Sequence, residues 1–314
     1  MNVNLPSGTV EFAAVIRRAL ADAPASSADL FVLLDDLGVL DLVGSDSADL
    51  HNAQLNVVVA LEEIARAGQR APIAETIWAR GRRLATTDGF LSISSGAGTG
   101  ADRLLPYGAL ATSLLAGSVD SLTTVPMPVG LLPAHIEIDG DHLWLSDDVD
   151  APSFADLDQA FAWRAAAAST VGSMTHASDM AIEHARSRVQ FGKPLASFQA
   201  LQFRLAECSW RLLGLRLLVR EAAWRADRDD PRAEAVSALA WLYARDVGRI
   251  VTKHAHQVHG AIGFTRELGL TTLTGSAATL RALYPASAAA AVVRAARGWD
   301  DIVPPSNILG GFPT

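Results

Sequence analysis

The sequence predicts a mainly α protein in three parts: a helical domain first, a small β domain in the middle and a four-helix bundle at the end. In the first and last parts, apolar residues recur every three or four positions, which is the period of a helix buried on one side. The middle is rich in Gly, Ser, Thr and Pro with short alternating runs, which indicate strands and turns. The 314 residues are 50% apolar and 19% charged, enough to bury a sizeable core. We place the three domains at residues 1–83, 84–150 and 151–314.

The first domain is expected to contain four helices separated by short polar breaks. The apolar spacing assigns them to residues 10–23, 28–42, 48–67 and 72–82. Ser27 and Ser47 each precede one of these segments, and a serine oxygen there can accept from the free amides of the first turn. We therefore expect both serines to be N-caps.

The middle domain is predicted to contain a hairpin. Residues 136–138 and 143–145 alternate apolar and polar side chains around an Asp-Gly-Asp sequence at residues 139–141. Asp-Gly between alternating runs is typical of a tight turn between two strands. A small β domain containing this hairpin is the expected result.

Longer helices are expected in the last domain. The first, residues 161–190, should end where Gly192 can adopt the left-handed conformation of a helix cap and Pro194 cannot extend the helix. Ser197 should open the next helix. That helix carries one apolar stripe at three- or four-residue spacing: Phe198, Leu201, Leu205, Cys208, Leu212, Leu215 and Val219. Residues 231–258 and 277–297 complete the bundle, the latter interrupted at Pro285.

Composition excludes several classes of protein. No run approaches the roughly 18 apolar residues of a membrane helix and the first residues lack the pattern of a signal peptide, so we expect no membrane partner and a cytoplasmic location. The single cysteine, Cys208, excludes an internal disulfide and a cysteine metal site. The net charge of -8 argues against a nucleic-acid partner. Residues 151–314 nevertheless hold 18 bases and 14 acids, which indicates an anionic ligand there or ordinary solvated surface.

Two other patterns are weak. Gly96, Gly98 and Gly100 resemble a phosphate-binding loop, but the spacing and the Lys-Ser/Thr pair of such loops are missing, so a turn is favoured. His256 and His259 share one face of a helix, but no carboxylate lies at ligand spacing on that face. We therefore expect no metal site.

Two segments of the last domain carry specific signals. Residues 188–199 read Arg-Val-Gln-Phe-Gly-Lys-Pro-Leu-Ala-Ser-Phe-Gln, and residues 257–267 read Gln-Val-His-Gly-Ala-Ile-Gly-Phe-Thr-Arg-Glu. In the second segment, Gly260 and Gly263 would let backbone amides approach an anion closely, which a side chain would prevent.

The other residue types in these segments suit a dinucleotide. Arg188 is a permanent cation whose planar donor fork fits a pyrophosphate. Gln190 and Gln257 can donate and accept towards ribose or adenine, and Phe191 offers a stacking face. The alternative is a helix cap beside a tight turn with Arg188 exposed, but a cap leaves Gln190 and Phe191 without a role.

Together and in this order, the two segments resemble the acyl-CoA dehydrogenase family, whose carboxyl-terminal bundle carries an Arg-x-Gln-Phe-Gly helix end and a Gln-x-x-Gly-Gly-x-Gly-Phe loop. The resemblance implies the acyl-CoA dehydrogenase-like fold and FAD-dependent α,β-dehydrogenation of an acyl-CoA substrate. It also implies that Arg188, Gln190, Phe191, Gln257 and Gly260 contact the adenosine and pyrophosphate of an FAD bound mainly by a neighbouring subunit. The position after Gly260 holds alanine where the family usually has a second glycine, so one backbone contact departs from the pattern.

The catalytic base of the resembled family is missing from its usual positions. That base is a carboxylate that removes the α proton of the substrate. The usual glutamate aligns with Tyr284 or Pro285, and an alternative position aligns near Ala162; none of these is an acid. Asp158 is close but precedes the helix proper. The middle domain also lacks the Thr-Glu-Pro/Gly-Ser-Asp and Trp/Phe-Ile-Ser/Thr stretches that contact the flavin ring in the family.

The resemblance therefore implies a non-catalytic subunit that completes a shared FAD site. Its partner would be a paralogous subunit carrying the catalytic glutamate, in a heteromer such as those of bacterial steroid side-chain degradation. Two alternatives stay open. One is a self-sufficient homomer that uses Asp158 or Glu267 as a relocated base, and the other is a flavin-free helical scaffold or regulator. The identity of the acyl group has no sequence signature.

Overall fold

The computed structural model describes residues 5–22, 24, 26–43, 52–84, 89–94, 103–105, 107–118, 121–127, 133–134, 142–145 and 154–295. Four helices occupy the first domain, as the apolar spacing predicts: α1 (Ser7–Ala19), α2 (Ser27–Asp36), α3 (Ala53–Arg66) and α4 (Ile73–Gly81).

The N-cap assigned to α2 was wrong by one residue. Ser26, not Ser27, caps this helix, because its side-chain oxygen accepts from the Asp29 amide at 3.1 Å. Ser47, the other expected cap, lies outside the described residues, and α3 begins only at Ala53.

Short strands follow in the middle of the chain: β1 (Leu91–Ser92), β2 (Arg103–Leu105), β3 (Ser113–Ser118), β4 (Ser121–Pro126), β5 (Pro133–Ala134) and β6 (His142–Leu145). They form two three-stranded sheets with the orders β1-β3-β4 and β2-β6-β5. The pair β1-β3 is parallel, and the other pairs are antiparallel. The expected strand at residues 143–145 is present, whereas residues 136–141 and the glycines at 96–100 lie outside the described residues.

Within residues 154–295, the described stretch of the last part, there are five helices: α5 (Phe154–Ser187), α6 (Gln199–Ala226), α7 (Ala233–His259), α8 (Leu270–Leu283) and α9 (Ala286–Ala295). The break at Pro285 is confirmed, since α8 ends before it and α9 starts after it. The bundle helix predicted from residue 277 begins earlier, at Leu270. Within α5, Asp158 has non-helical dihedrals (φ -160°, ψ 79°), and the regular helix starts after it.

Helices α5 and α7 run side by side in the same direction at the centre of the bundle. At one end Arg164 donates to Ser237 at 3.1 Å, and at the other the rings of His184 and His259 lie 4.6 Å apart. Helix α3 packs on α5 so closely that a Cβ on Gly172 would lie 2.1 Å from the carbonyl oxygen of Glu62. Because α5 and α7 run in the same direction, their carboxyl ends reach the same end of the bundle.

One continuous hydrophobic core joins the first helices to the bundle, and it includes Ile16, Trp78, Trp163 and Trp241. Cys208 lies in this core at 2% exposure, and desolvation raises the pKa of its thiol to about 11, so the thiol stays protonated and unreactive near neutral pH. No helix in the described part of the chain is long and apolar enough to cross a membrane. The three domain boundaries stay a prediction.

Candidate functional site

The first segment forms a tight hairpin after α5. Strands β7 (Val189–Gln190) and β8 (Lys193–Pro194) pair antiparallel, and the two residues between them both have positive φ, 53° at Phe191 and 80° at Gly192. Two positive φ values in a two-residue loop are those of a type I′ turn. The expected helix to residue 190 was therefore wrong: α5 ends at Ser187, and Gly192 serves a hairpin rather than a helix cap.

The hairpin orients Arg188 and Gln190 outward. Both side chains are exposed. With its amide oxygen facing the guanidinium, Gln190 accepts from Arg188 Nη2 at 2.8 Å and from Nε at 3.3 Å. Among the described residues no carboxylate forms an ion pair with Arg188, so its charge faces solvent and is available to an anion.

Phe191 occupies a conformation that costs free energy and yields little packing. Its side chain is 90% exposed, and its ring approaches the Phe198 ring edge-on, at 6.2 Å between centroids. A large residue with positive φ is strained, by roughly 1 kcal/mol or more. An exposed aromatic ring held in a strained turn is available to stack on a ligand or a partner.

The second segment forms the end of α7 and a single 3₁₀ turn, Gly260–Phe264. Gly260 has φ 64° and ψ -139°, a region that only glycine adopts readily, and nothing lies within 4 Å of where its Cβ would be. Gly263 is different: it is buried, and a Cβ there would lie 3.0 Å from the Cβ of His259. The proposed close approach of Gly263 to an anion was therefore wrong, because this glycine packs against α7.

The two segments meet at one end of the bundle. His184 links them, because its carbonyl accepts from the Arg188 amide at 2.9 Å and its ring stacks on His259 of α7. Burial lowers the pKa of His184, and the nearby His259 and Arg188 lower it further, so the His184 ring is neutral near pH 7. All five residues predicted for the site, Arg188, Gln190, Phe191, Gln257 and Gly260, are solvent-exposed there.

The histidines beneath this surface do not assemble a metal site. His256 Nε2 lies 3.0 Å from Thr274 Oγ1, and His259 Nδ1 lies 2.8 Å from the carbonyl of Ala255. In the described residues, no group of three or more His, Cys, Asp or Glu side chains could hold a metal ion.

A small interior pocket lies between α3, α4, α5 and α8, with a volume of about 70 Å³. Its lining includes Ala162 and Tyr284, the two positions at which the family resemblance implies a catalytic carboxylate. The structure brings these positions together, and it also brings Glu75 and Tyr107 to the same pocket. Sequence analysis missed Glu75, because an acid in the first turn of a helix is the ordinary sign of a favourable surface charge.

Glu75 is nearly enclosed by protein, with 7% of its surface exposed. Desolvation raises the pKa of its carboxyl to about 7. Burial raises the pKa of Tyr284 well above its usual value, and the charge of Glu75 is the next cause. The carboxyl therefore changes charge near neutral pH inside the pocket.

The two alternative bases from the sequence lie elsewhere. Asp158 caps the regular part of α5, since it accepts from the Phe161 amide at 3.0 Å, and it also accepts from Trp78 Nε1 at 3.2 Å and pairs with Arg82 at 3.3 Å. Glu267 is exposed, and a hydrogen bond from its own amide and one from the Thr265 side chain lower its pKa. Neither residue lines the pocket.

Part of the chain matches known proteins in sequence. Residues 161–284 match the model of the acyl-CoA dehydrogenase C-terminal domain. Over 100 residues the chain is 39% identical to the probable acyl-CoA dehydrogenase FadE25 of Mycobacterium tuberculosis, covering 32% of this chain and 26% of that protein. Over 148 residues it is 36% identical to the 3-sulfinopropanoyl-CoA desulfinase of Paraburkholderia xenovorans, covering 45% and 38%. The chain thus spans between about a quarter and two-fifths of these relatives.

Solved structures share the fold over nearly the whole chain. A chain of the ChsE4-ChsE5 complex from Mycobacterium tuberculosis has a TM-score of 0.71 at 18% identity, with 100% of both chains covered. A glutaryl-coenzyme A dehydrogenase has a TM-score of 0.73 at 17% identity, covering 96% of this chain and 97% of that one. The Tcur3481-Tcur3483 steroid ACAD has a TM-score of 0.71 at 20% identity, covering 91% and 96%.

The chain therefore has the acyl-CoA dehydrogenase fold, and its residues 161–284 match the acyl-CoA dehydrogenase C-terminal domain. The family resemblance carried by the two segments is confirmed.

Proposed function

We propose that this chain is a subunit of an FAD-dependent acyl-CoA dehydrogenase and that it holds the adenosine and pyrophosphate end of an FAD shared with a paralogous subunit. The observation that carries the proposal is the grouping of five exposed residues at one end of the bundle: Arg188, Gln190, Phe191, Gln257 and Gly260. FAD, when bound, supplies the oxidant for dehydrogenation.

The exposed residues fit the adenosine and pyrophosphate chemically. Arg188 would pair with the pyrophosphate, and the contact with Gln190 orients its guanidinium fork. Phe191 would stack on an aromatic or ribose face. This contact would explain why an aromatic residue occupies the strained turn. Gln257 and the glycine backbone at Gly260 would complete the polar contacts.

The outward direction of these residues supports a site shared between chains. They lie on a solvent-exposed end of the bundle and would form one wall of a site, whereas a dinucleotide is normally enclosed. Large apolar side chains beside them are also exposed: Val189, Ile262 and Phe264. Exposed apolar groups around a polar site are typical of a surface that a partner covers.

A second apolar surface supports a multimer. On α6, the exposed residues Phe203, Trp210 and Leu213 share one side of the helix at spacings of seven and three. Such a stripe normally faces another helix. Two of the similar structures are pairs of different chains by name, ChsE4-ChsE5 and Tcur3481-Tcur3483, which favours a paralogue as the partner. A steroid acyl-CoA is one substrate class consistent with the second of these names.

A self-sufficient homomer is the second candidate function. The carboxyl of Glu75 beside Tyr284 favours it, because a chain with its own base needs no catalytic paralogue. A flavin-free scaffold has no specific observation in its favour.

The visible absorbance of the purified protein tests these alternatives. Expressed alone, the chain should carry little flavin, since it supplies one wall of the site. Expressed with a paralogue, the pair should carry one flavin between them. A stoichiometric yellow homomer would establish the second candidate, and a colourless complex with every paralogue tried would leave only the scaffold.

A further inference from the structure

The pocket between α3, α4, α5 and α8 contains a carboxyl group that the stability of the fold does not explain. Other buried glutamates have cationic partners: Glu62 pairs with Arg216 at 2.6 Å and with Arg220 at 3.6 Å, and Glu63 pairs with Arg17. Glu75 is as buried as Glu62, yet the described residues offer it no ion pair and no side-chain donor. A hydrogen bond from its own amide is its compensation.

An unpaired buried carboxyl destabilises a fold, so an apolar or amide side chain would serve packing better. Glu75 lies in a pocket despite this cost, and its pKa is strongly raised. A carboxyl with these two properties is a candidate for proton transfer. Leu61, Ala162 and Leu273 also line the pocket and would give a bound group apolar contacts, while Gln69 and Arg70 are polar residues of the same lining. Tyr107 and Tyr284 also line the pocket.

The volume of the pocket limits the size of the group that can bind in it. A cavity of about 70 Å³ accommodates about five water-sized groups, which corresponds to a short acyl segment inside the pocket. Beside the Glu75 carboxyl a second negative charge would be disfavoured at this depth, although Arg70 also lines the pocket. The pocket therefore suits the neutral acyl end of a thioester.

We propose that Glu75 is the general base of this pocket and removes the α proton of a short acyl thioester whose acyl end occupies the cavity. The proposal rests on the proposed function for its ligand class. The α C–H bond breaks, the proton forms an O–H bond with a Glu75 carboxylate oxygen, and the electron pair moves to the thioester carbonyl oxygen. Return of the proton or of a deuteron to the α carbon restores the thioester.

This assignment revises the expectation of a chain without a base. That expectation came from two aligned positions, Ala162 and Tyr284, where no acid is present. The structure brings a carboxyl from α4 to the pocket that both positions line.

Exchange of the α protons of butyryl-CoA in deuterated buffer tests the proposal without requiring flavin reduction. The full chain, alone and co-expressed with a paralogue, is incubated with butyryl-CoA, and deuterium incorporation is followed by mass spectrometry. We expect Glu75→Gln to slow exchange by about 100-fold or more. Glu75→Asp should keep measurable exchange, because it retains a carboxylate, and Glu267→Gln should leave the rate within a few-fold of wild type.

Measurements of ligand binding and of Glu75 ionisation show which part of the proposal is wrong if the exchange experiment fails. Butyryl-CoA affinity is measured by calorimetry, and the Glu75 carboxyl is followed by isotope-edited infrared spectroscopy across pH. Exchange that survives in a folded Glu75→Gln variant would overturn the role of Glu75 and leave the shared FAD site intact. A complex that retains flavin but neither binds butyryl-CoA nor exchanges its α protons would overturn the acyl pocket alone. A rate of α-proton exchange that rises as the Glu75 carboxyl ionises would support Glu75 as the base.

Discussion

Replacing Glu75 by glutamine should change how the stability of the protein depends on pH. In an unfolded chain the carboxyl ionises near its ordinary value of 4.5, whereas in the fold desolvation holds the pKa at about 7. Between these values the folded state keeps a proton that the unfolded state has lost, so the free energy of unfolding falls as pH rises. Above about pH 7 both states are ionised, and the cost of burying the charge is fully present.

The size of the effect follows from the same two values. A rise from 4.5 to about 7 corresponds to about 3 kcal/mol of stability lost between acidic and mildly alkaline pH. Glu75→Gln removes this loss while keeping the shape of the side chain. At pH 8 the variant should therefore be more stable than wild type by up to about 3 kcal/mol, and at pH 4 the two should be similar.

Urea unfolding at pH 4, 6 and 8 measures the difference, with Glu62→Gln as the matched control. Glu62 is equally buried, at 7% exposure for each residue, but it is paired with Arg216. Its replacement should destabilise the protein at pH 8, because it leaves a partly buried cation without its partner. Parallel pH profiles for wild type and Glu75→Gln would refute the reasoning, since they would show that the carboxyl ionises normally in the fold.

Three further substitutions test the cofactor surface and the helix cap. Arg188→Ala should weaken flavin retention by the assembled complex by about 1.5 to 3 kcal/mol in a flavin titration, whereas Arg186→Ala, on an exposed position of the preceding helix, should not. Phe191→Asn should raise the free energy of unfolding by about 0.5 to 1 kcal/mol, since asparagine tolerates positive φ, and should lower flavin retention; a gain in both would remove Phe191 from the site. Asp158→Ala should lower the free energy of unfolding by about 1 kcal/mol through loss of the cap, while Asp158→Asn leaves acyl-CoA oxidation by the complex within a few-fold.

The sequence was most informative where local chemistry decides the structure. Periodic apolar residues predicted the helices of both α regions, and Pro285 predicted the break between α8 and α9. The residue types of the two segments predicted the cofactor surface as a set, and these residues do lie at one end of the bundle. Their contact with FAD stays a proposal.

Errors arose where two local signals compete or where tertiary placement decides. Ser26 and Ser27 are both good N-caps, and the structure uses the first. Phe191 with Gly192 is an unusual pair for a type I′ turn, so the hairpin was hidden behind a helix-cap signal. Glu75 could not be recognised, because its burial depends on α3, α5 and α8, which are distant in sequence.

The most direct test of the account is a photolabelling measurement on the co-expressed complex loaded with FAD that carries an azido group on its adenine. If this chain holds the adenosine end of a shared cofactor, irradiation should attach the label to its peptides that contain residues 188–199 or 257–267. The Arg188→Ala variant should reduce that labelling in proportion to lost flavin. Label found only on the paralogous subunit, with flavin fully bound, would contradict the shared site.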